Sequence, residues 1–178
     1  DGADLVGVLT HAGGSYNVYS AEGMLEAAQV EAKTIAEVAD LLRQKGYDIR
    51  IVSAGSTPTL GAVQSAAGVT EYRSGVGTFF DLVMAGIHAC TLEEIAVSVL
   101  VTVIGHQVEK GWVITDGGWM AMSRDRGTAA QSKDWGFGAV CDETGMPRSI
   151  SRAAASRARA TSSAVFMWTF AQTFFDAA

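Results

Sequence analysis

The sequence predicts an α/β unit followed by a mostly antiparallel β unit. Three observations carry this. Up to about residue 81, short apolar runs of strand length alternate with segments of helical period. Beyond that the chain turns to Val, Ile, Thr and Trp in short runs broken by Gly and charged residues. From residue 149 it changes once more, to Ala, Ser and Arg and then to aromatics. The expected organisation is therefore 1–81, 82–148 and a divergent tail, 149–178. Alternation with short connections implies parallel strands joined by helical crossovers. An open doubly wound sheet and a segment of a barrel both satisfy it.

The first strand is the apolar run 5–9, which ends in the turn-rich "THAGGSYN". The segment "AEGMLEAAQVEAKTIAEVADLLRQKGYD" follows. Leu25, Ala28, Ile35, Val38, Leu41 and Leu42 recur at helical spacing, charges fill the other positions, and Gly46 sits where a helix stops. "IRIVSAG" reads as a second strand closed by Gly55. "LGAVQSAAG" reads as a short helix closed by Gly68, and "VTEYRSG" as a third strand. In the second part, 95–104 and 111–115 read as strands. "DWGFGAVCDETGMP" gives one more strand and a Glu-Thr-Gly turn. The tail, with Arg152, Arg157 and Arg159 unaccompanied by acids, reads as a solvated basic helix followed by an amphipathic one.

Composition narrows the function classes. The 178 residues carry a formal net charge of -6, which argues against nucleic acid as a partner. Nearly half the residues are apolar, 48%, enough for a real core. Cys90 and Cys141 are the only cysteines. Two are too few for a disulfide framework or a multi-cysteine metal site, and they fit reduced thiols in the cytoplasm. No basic segment precedes an apolar run as in a secretory signal. No stretch reaches the ~20 apolar residues that span a bilayer. The start at Asp1, directly on a strand pattern, suggests the interior of a longer chain.

Four motifs carry chemistry. In "VSAGSTPT" a strand ends in Gly55 and small hydroxyl residues, where a helix begins. Such a junction suits an anion, most often a phosphate, because free N–H groups and hydroxyls converge there. It equally suits a simple helix cap by Ser56 or Thr57. In "THAGGSY", His11 and Tyr16 follow a strand at the end where parallel α/β folds place their chemistry; structural roles are the alternative. "EYRSGVGTFFD" sets Glu71, Arg73 and Asp81 around glycines, for anion recognition or plain ion pairs. His88 and Cys90 have metal-ligand atoms at a spacing that points both the same way on an extended chain. A site needs three or four ligands, so coincidence accounts for the pair. "TDGGW" is explained as a tight turn.

Taken in order, "THAGGSY", "VSAGSTPT", "TEYRSGVGTFFD", "EEIAVSVLVTVI", "TDGGWMAMSRDRG" and "WGFGAVCDETGMP" resemble the D-threonine aldolase / D-serine dehydratase family. These pyridoxal-phosphate enzymes share the alanine-racemase-like fold. The resemblance spans about residues 3–148. It implies the C-terminal part of a (β/α)8 barrel followed by a β domain. It implies that Gly55, Ser56 and Thr57 bind the cofactor phosphate, that Tyr16 lies beside its ring, and that His11 serves catalysis. Arg73 and Asp81 match the block that closes the barrel, with Gly77 where the family usually has tyrosine.

The resemblance also implies a small D-amino acid substrate. It implies pyridoxal 5'-phosphate as cofactor and a divalent metal in the full-length family. The family's Schiff-base lysine precedes "THAGGSY", and its metal motif follows "ETGMP", where this chain reads "SISRAAASRARATSS". Lys33, Lys45, Lys110 and Lys133 lack the strand context of an aldehyde-holding lysine. The expectation is a lyase or aldolase for D-3-hydroxy amino acids that is inactive as this isolated chain. A cofactor-binding fragment and a split-enzyme subunit are the alternatives. Open strand edges imply a homo-oligomer or a complementary N-terminal half as partner.

Overall fold

The computed structural model describes residues 2–63, 68–118, 120–141 and the backbone of 163–168. The chain divides into two compact units, Asp1–Thr78 with Ile87–Ala89, and Phe79–Gly86 with Cys90–Ala178.

In the first unit, β1 (Gly7–Leu9), β2 (Ile51–Ala54) and β3 (Glu71–Tyr72) form a parallel sheet in that order. Val8 lies opposite Val52, and Ala54 opposite Tyr72. The crossover from β1 to β2 is α1 (Ala21–Gln44). Ser20 caps its start by accepting the Gly23 N–H at 3.1 Å. The turn after it is closed by Gly46 at φ +91°, a conformation open to glycine. The Ile35 and Ala39 side chains of α1 pack on Ile49, Val52 and Ala54, with Val8, Leu42, Val69 and Tyr72 at the margin.

The buried face of α1 is not quite the one its large apolar residues suggest. Met24, Ala28, Glu31, Ala32, Ile35 and Ala39 are buried, whereas Val38 and Leu41 are exposed. Small alanines let the helix lie close to the sheet, which turns the bulkier residues outward. A further difference follows β2. The helix there is α2 (Thr57–Leu60), one turn earlier than the 60–68 segment. Pro58, which favours a first helical turn, and Ser56 as cap fix its start. Residues 64–67 of the expected helix lie outside those described.

The second unit opens with α3 (Leu82–Gly86). It then builds a four-stranded antiparallel sheet from β4 (Ser98–Gln107), β5 (Trp112–Thr115), β6 (Gly138–Cys141) and β7 (Ser163–Trp168), ordered β5-β4-β7-β6. Leu82, Ala139 and Cys141 form a core cluster with Leu92, Ile95 and Trp135. The strand expected at 95–104 lies at Ser98–Gln107. The strand at 163–168 replaces the amphipathic helix read from the tail. The Val and aromatic residues of "SAVFMW" suit a strand, and the two neighbours β4 and β6 supply its hydrogen bonds. The basic helix expected at 149–162 and the Glu-Thr-Gly turn lie outside the described residues.

Candidate functional site

Three loops leave the C-terminal edge of the parallel sheet. After β1 come Thr10, His11 and the 3-10 turn Gly13–Asn17; after β2, Gly55 and Ser56; after β3, Arg73 to Gly77. Gly55 holds φ +116°. A Cβ there would lie 2.7 Å from the Arg73 carbonyl oxygen and 2.9 Å from its nitrogen. The second and third loops thus touch through backbone alone, which only glycine permits.

Residues Gly55 to Thr59 are buried, and their polar groups are largely paired within the protein. The Gly55 N–H donates to Glu31 Oε1 at 3.0 Å, and the Thr59 hydroxyl donates to Glu31 Oε2 at 3.2 Å. The Ser56 N–H donates to Thr59 Oγ1 at 3.2 Å. Ser56 Oγ lies 3.0 Å from Thr59 Oγ1 and 3.2 Å from Ser15 Oγ. Ser15 gives its own proton to the Ala12 carbonyl at 2.7 Å, so Ser56 is the donor to Ser15. One buried chain of hydrogen bonds therefore joins the loop after β1, the turn after β2 and the carboxylate on α1.

This corrects the expectation for Gly55. Its amide is committed to Glu31, so it shapes the turn and does not offer an N–H to a ligand. The Ser56 amide is committed too. The Ser56 hydroxyl gives its one proton to Ser15, so the Thr57 hydroxyl remains as a donor, as does the Thr57 N–H, which has no acceptor within α2. Thr57 carries a second signal. Its Oγ1 accepts from two consecutive amides, Gly75 N–H at 3.1 Å and Val76 N–H at 2.9 Å. Successive N–H groups aimed at one oxygen form an anion-binding nest. Here a side-chain oxygen fills it. Sequence reasoning misses Gly75 and Val76; the glycine-rich "SGVG" directly after a strand is the signal that could have found them.

Arg73 spans the sheet edge. Its guanidinium donates to the Ser53 hydroxyl and to the Thr10 carbonyl, while Ser53 donates to Glu71 Oε1 at 2.6 Å. It thereby ties the ends of all three strands and fixes the residue before His11. His11 is exposed and Tyr16 half-buried. Their rings lie 5.8 Å apart at 42°. The edge thus collects His11, Tyr16, Gly55, Ser56, Thr57 and Arg73.

Asp81 belongs to the second unit. It is fully buried. Its Oδ1 accepts the Met84 N–H at 2.8 Å, while Oδ2 has no partner among the described residues. Burial lifts its carboxyl to about 6, against the lowering effect of the Met84 and Val83 N–H groups. Burial, with the charges of Asp81 and Glu94, pushes the Cys90 thiol up to about 11. A thiol so held is a poor metal ligand. His88 takes φ +64°, so the extended geometry that would align it with Cys90 is not formed. Among the described residues, no group of three or more His, Cys, Asp or Glu side chains is placed to share a metal. The same unit has an open groove of about 720 Å³ beside Ser123, Arg124 and Phe137, which contains no sequence-derived candidate. No described helix is long and apolar enough to cross a membrane.

The family model described as "Putative serine dehydratase domain" matches residues 96–165. The chain is 54% identical over 144 residues to D-threo-3-hydroxyaspartate dehydratase of Delftia sp. strain HT23, covering 81% of this chain and 38% of that protein. It is 32% identical over 125 residues to D-serine dehydratase of Dictyostelium discoideum, covering 68% and 32%. The solved structure of the Delftia enzyme superposes with a TM-score of 0.81, at 42% identity, over 92% of this chain and 48% of that one. An alanine racemase-like protein from Idiomarina loihiensis superposes with a TM-score of 0.72, at 39% identity, over 92% and 43%. The chain thus spans less than half the length of these relatives.

Proposed function

The chain belongs to the D-threonine aldolase / D-serine dehydratase family, and on that premise we propose that its first unit holds the phosphate of pyridoxal 5'-phosphate in a lyase for D-3-hydroxy amino acids. The names of the two relatives, a 3-hydroxyaspartate dehydratase and a serine dehydratase, favour a dehydratase. On this reading β1, β2 and β3 are consecutive strands of a (β/α)8 barrel, and the second unit is its companion β domain.

One observation carries the proposal: two consecutive amides, of Gly75 and Val76, converge on the Thr57 oxygen. The nest has the donors a phosphate oxygen needs, and a turn of the Thr57 side chain, which now fills it, would open it to one. The residues present therefore fit the phosphate end of the cofactor. Thr57 would add a hydroxyl donor, Ser56 would add one by releasing Ser15, and Gly55 would give the turn its shape. When bound, pyridoxal phosphate supplies an electron sink for the pair left at the substrate's Cα. Tyr16 would flank the ring. His11, exposed on the same edge, would exchange a proton with the substrate's β-hydroxyl. A divalent metal at that hydroxyl would need residues other than the described ones.

The lysines favour a second component of the reading. Lys33 faces Glu37 at 3.8 Å on α1, and Lys45 follows the same helix. Lys110 and Lys133 lie over Trp112 and Trp135. Neither lysine of the first unit, Lys33 or Lys45, belongs to the loops at the C-terminal edge of its parallel sheet. On its own, the 178-residue chain would hold the cofactor without a covalent bond and would not turn over substrate.

Titration with pyridoxal 5'-phosphate and with pyridoxal, followed by cofactor absorbance, tests this. The wild-type chain is expected to prefer the phosphorylated form about tenfold or more, the worth of one charge-assisted hydrogen bond. Thr57→Val, of similar size, should erase most of that preference. Equal affinity for the two forms would refute the phosphate assignment. Pyruvate or oxaloacetate released from D-serine or D-threo-3-hydroxyaspartate by the chain alone would refute the inactive state.

A further inference from the structure

We infer that Glu31 is the positioning residue of the phosphate turn, an inference that rests on the cofactor reading above. A carboxylate is an unexpected neighbour for a site that receives an anion. Yet Glu31 is only 7% exposed, and it sits on the buried stripe of α1 between Ala28 and Ala32. Removing a charge from water is costly unless its oxygens are hydrogen-bonded. Both oxygens are: one takes the Gly55 N–H and the other the Thr59 O–H.

Those two donors bracket the residues proposed to face the phosphate. Gly55 precedes Ser56 and Thr57, and Thr59 follows them. A carboxylate can only accept. It therefore fixes the direction of the chain: Thr59 donates inward to Glu31 and accepts from the Ser56 N–H. The inward donors are satisfied by the protein itself. The Thr57 hydroxyl and N–H are left to an incoming phosphate, beside the Gly75 and Val76 amides that Thr57 Oγ1 holds in its absence. Glu31 thus acts as an internal anion that holds the turn in its receiving shape before any ligand arrives, which lowers the ordering cost of binding. It touches no cofactor atom in this arrangement; it acts through Gly55 and Thr59.

Position and charge make opposite predictions. Glu31→Gln keeps an acceptor for Gly55 but presents an NH2 to Thr59, which reverses that bond and turns the Thr59 proton back toward Ser56. If Glu31 were merely a nearby negative charge, its neutralisation would strengthen phosphate binding. If it positions the turn, neutralisation weakens it. In the paired titration, Glu31→Gln is expected to lose about tenfold of the preference for pyridoxal 5'-phosphate over pyridoxal, with pyridoxal affinity unchanged within about twofold, since tenfold is the scale of one such bond. Glu31→Asp retains the charge but is one methylene short, and should lose the preference as well. A preference unchanged or increased in Glu31→Gln, or intact in Glu31→Asp, would overturn the inference. A wild-type chain without any preference would instead sink the cofactor reading. Amide hydrogen exchange then still judges Glu31: the Ser56 amide should exchange faster in Glu31→Gln than in the wild type, and equal rates would overturn its positioning role.

Discussion

Gly55→Ala is expected to destabilise the first unit by about 3 kcal/mol or more, through a strained φ and a backbone collision together. At φ +116° an L-residue is already unfavourable. The added Cβ would meet the Arg73 backbone at 2.7 Å and 2.9 Å. Arg73 cannot step aside. Its N–H bonds the Ala54 carbonyl at 2.8 Å, and its guanidinium is tied to Ser53 and Thr10. Relief requires β2 and β3 to part, which also pulls the Gly75–Val76 nest away from Thr57. Thermal unfolding followed by circular dichroism should show a midpoint lower by about 10 °C or more, given the usual few degrees per kcal/mol in a unit of this size. Gly61→Ala is the control. That glycine has nothing within 4 Å of an added Cβ and φ -67°, so its midpoint should hold or rise slightly. A Gly55→Ala midpoint equal to wild type would show that the two loops are not pressed together.

Asp81→Asn is expected to stabilise the second unit by about 2–3 kcal/mol above pH 6 and by nothing near pH 4, since each unit of pKa difference is worth about 1.4 kcal/mol. The folded carboxyl titrates near 6 against an ordinary 3.8, so the folded state binds its proton more tightly than the unfolded chain does. The contribution is fully present below 3.8 and lost as pH rises through 6. Above that, folding must bury a charge whose Oδ2 has no partner among the described residues. Asparagine mimics the protonated acid: it retains the acceptor for the Met84 N–H and carries no charge. Urea unfolding at pH 4 and pH 8 decides it. An equal gain at both values, or a loss at pH 8, would show that the carboxylate is solvated or paired.

The legible and illegible parts of the site differ for physical reasons. Period and punctuation give strand, long helix, strand, because Gly46 and Gly55 are local backbone requirements. Ser56 and Thr57 are legible because strand-end hydroxyls before a proline already mean a helix start or an anion. Glu31 is not. A glutamate among alanines reads as the wet side of a helix, and its partner Gly55 is met only after the chain has crossed the sheet. The same rule misplaced Val38 and Leu41 in the core, since size alone does not reveal that alanines allow the closer approach. The strand at 163–168 is not legible because a run of apolar and aromatic residues suits a helix or a strand until strand neighbours exist to pair with it. Ser163–Trp168 also join the second unit's sheet, and the family match runs to residue 165.

That late strand bears on biosynthesis. Among the described residues β4 and β6 are not hydrogen-bonded to each other; each pairs with β7, which leaves the ribosome after both. The parallel sheet can assemble progressively as its strands appear, whereas the antiparallel one stays open until its middle member arrives. During that interval two apolar edges await a partner. A translational stall before residue 163 would leave a nascent chain that is half folded and adhesive, a natural client for chaperones.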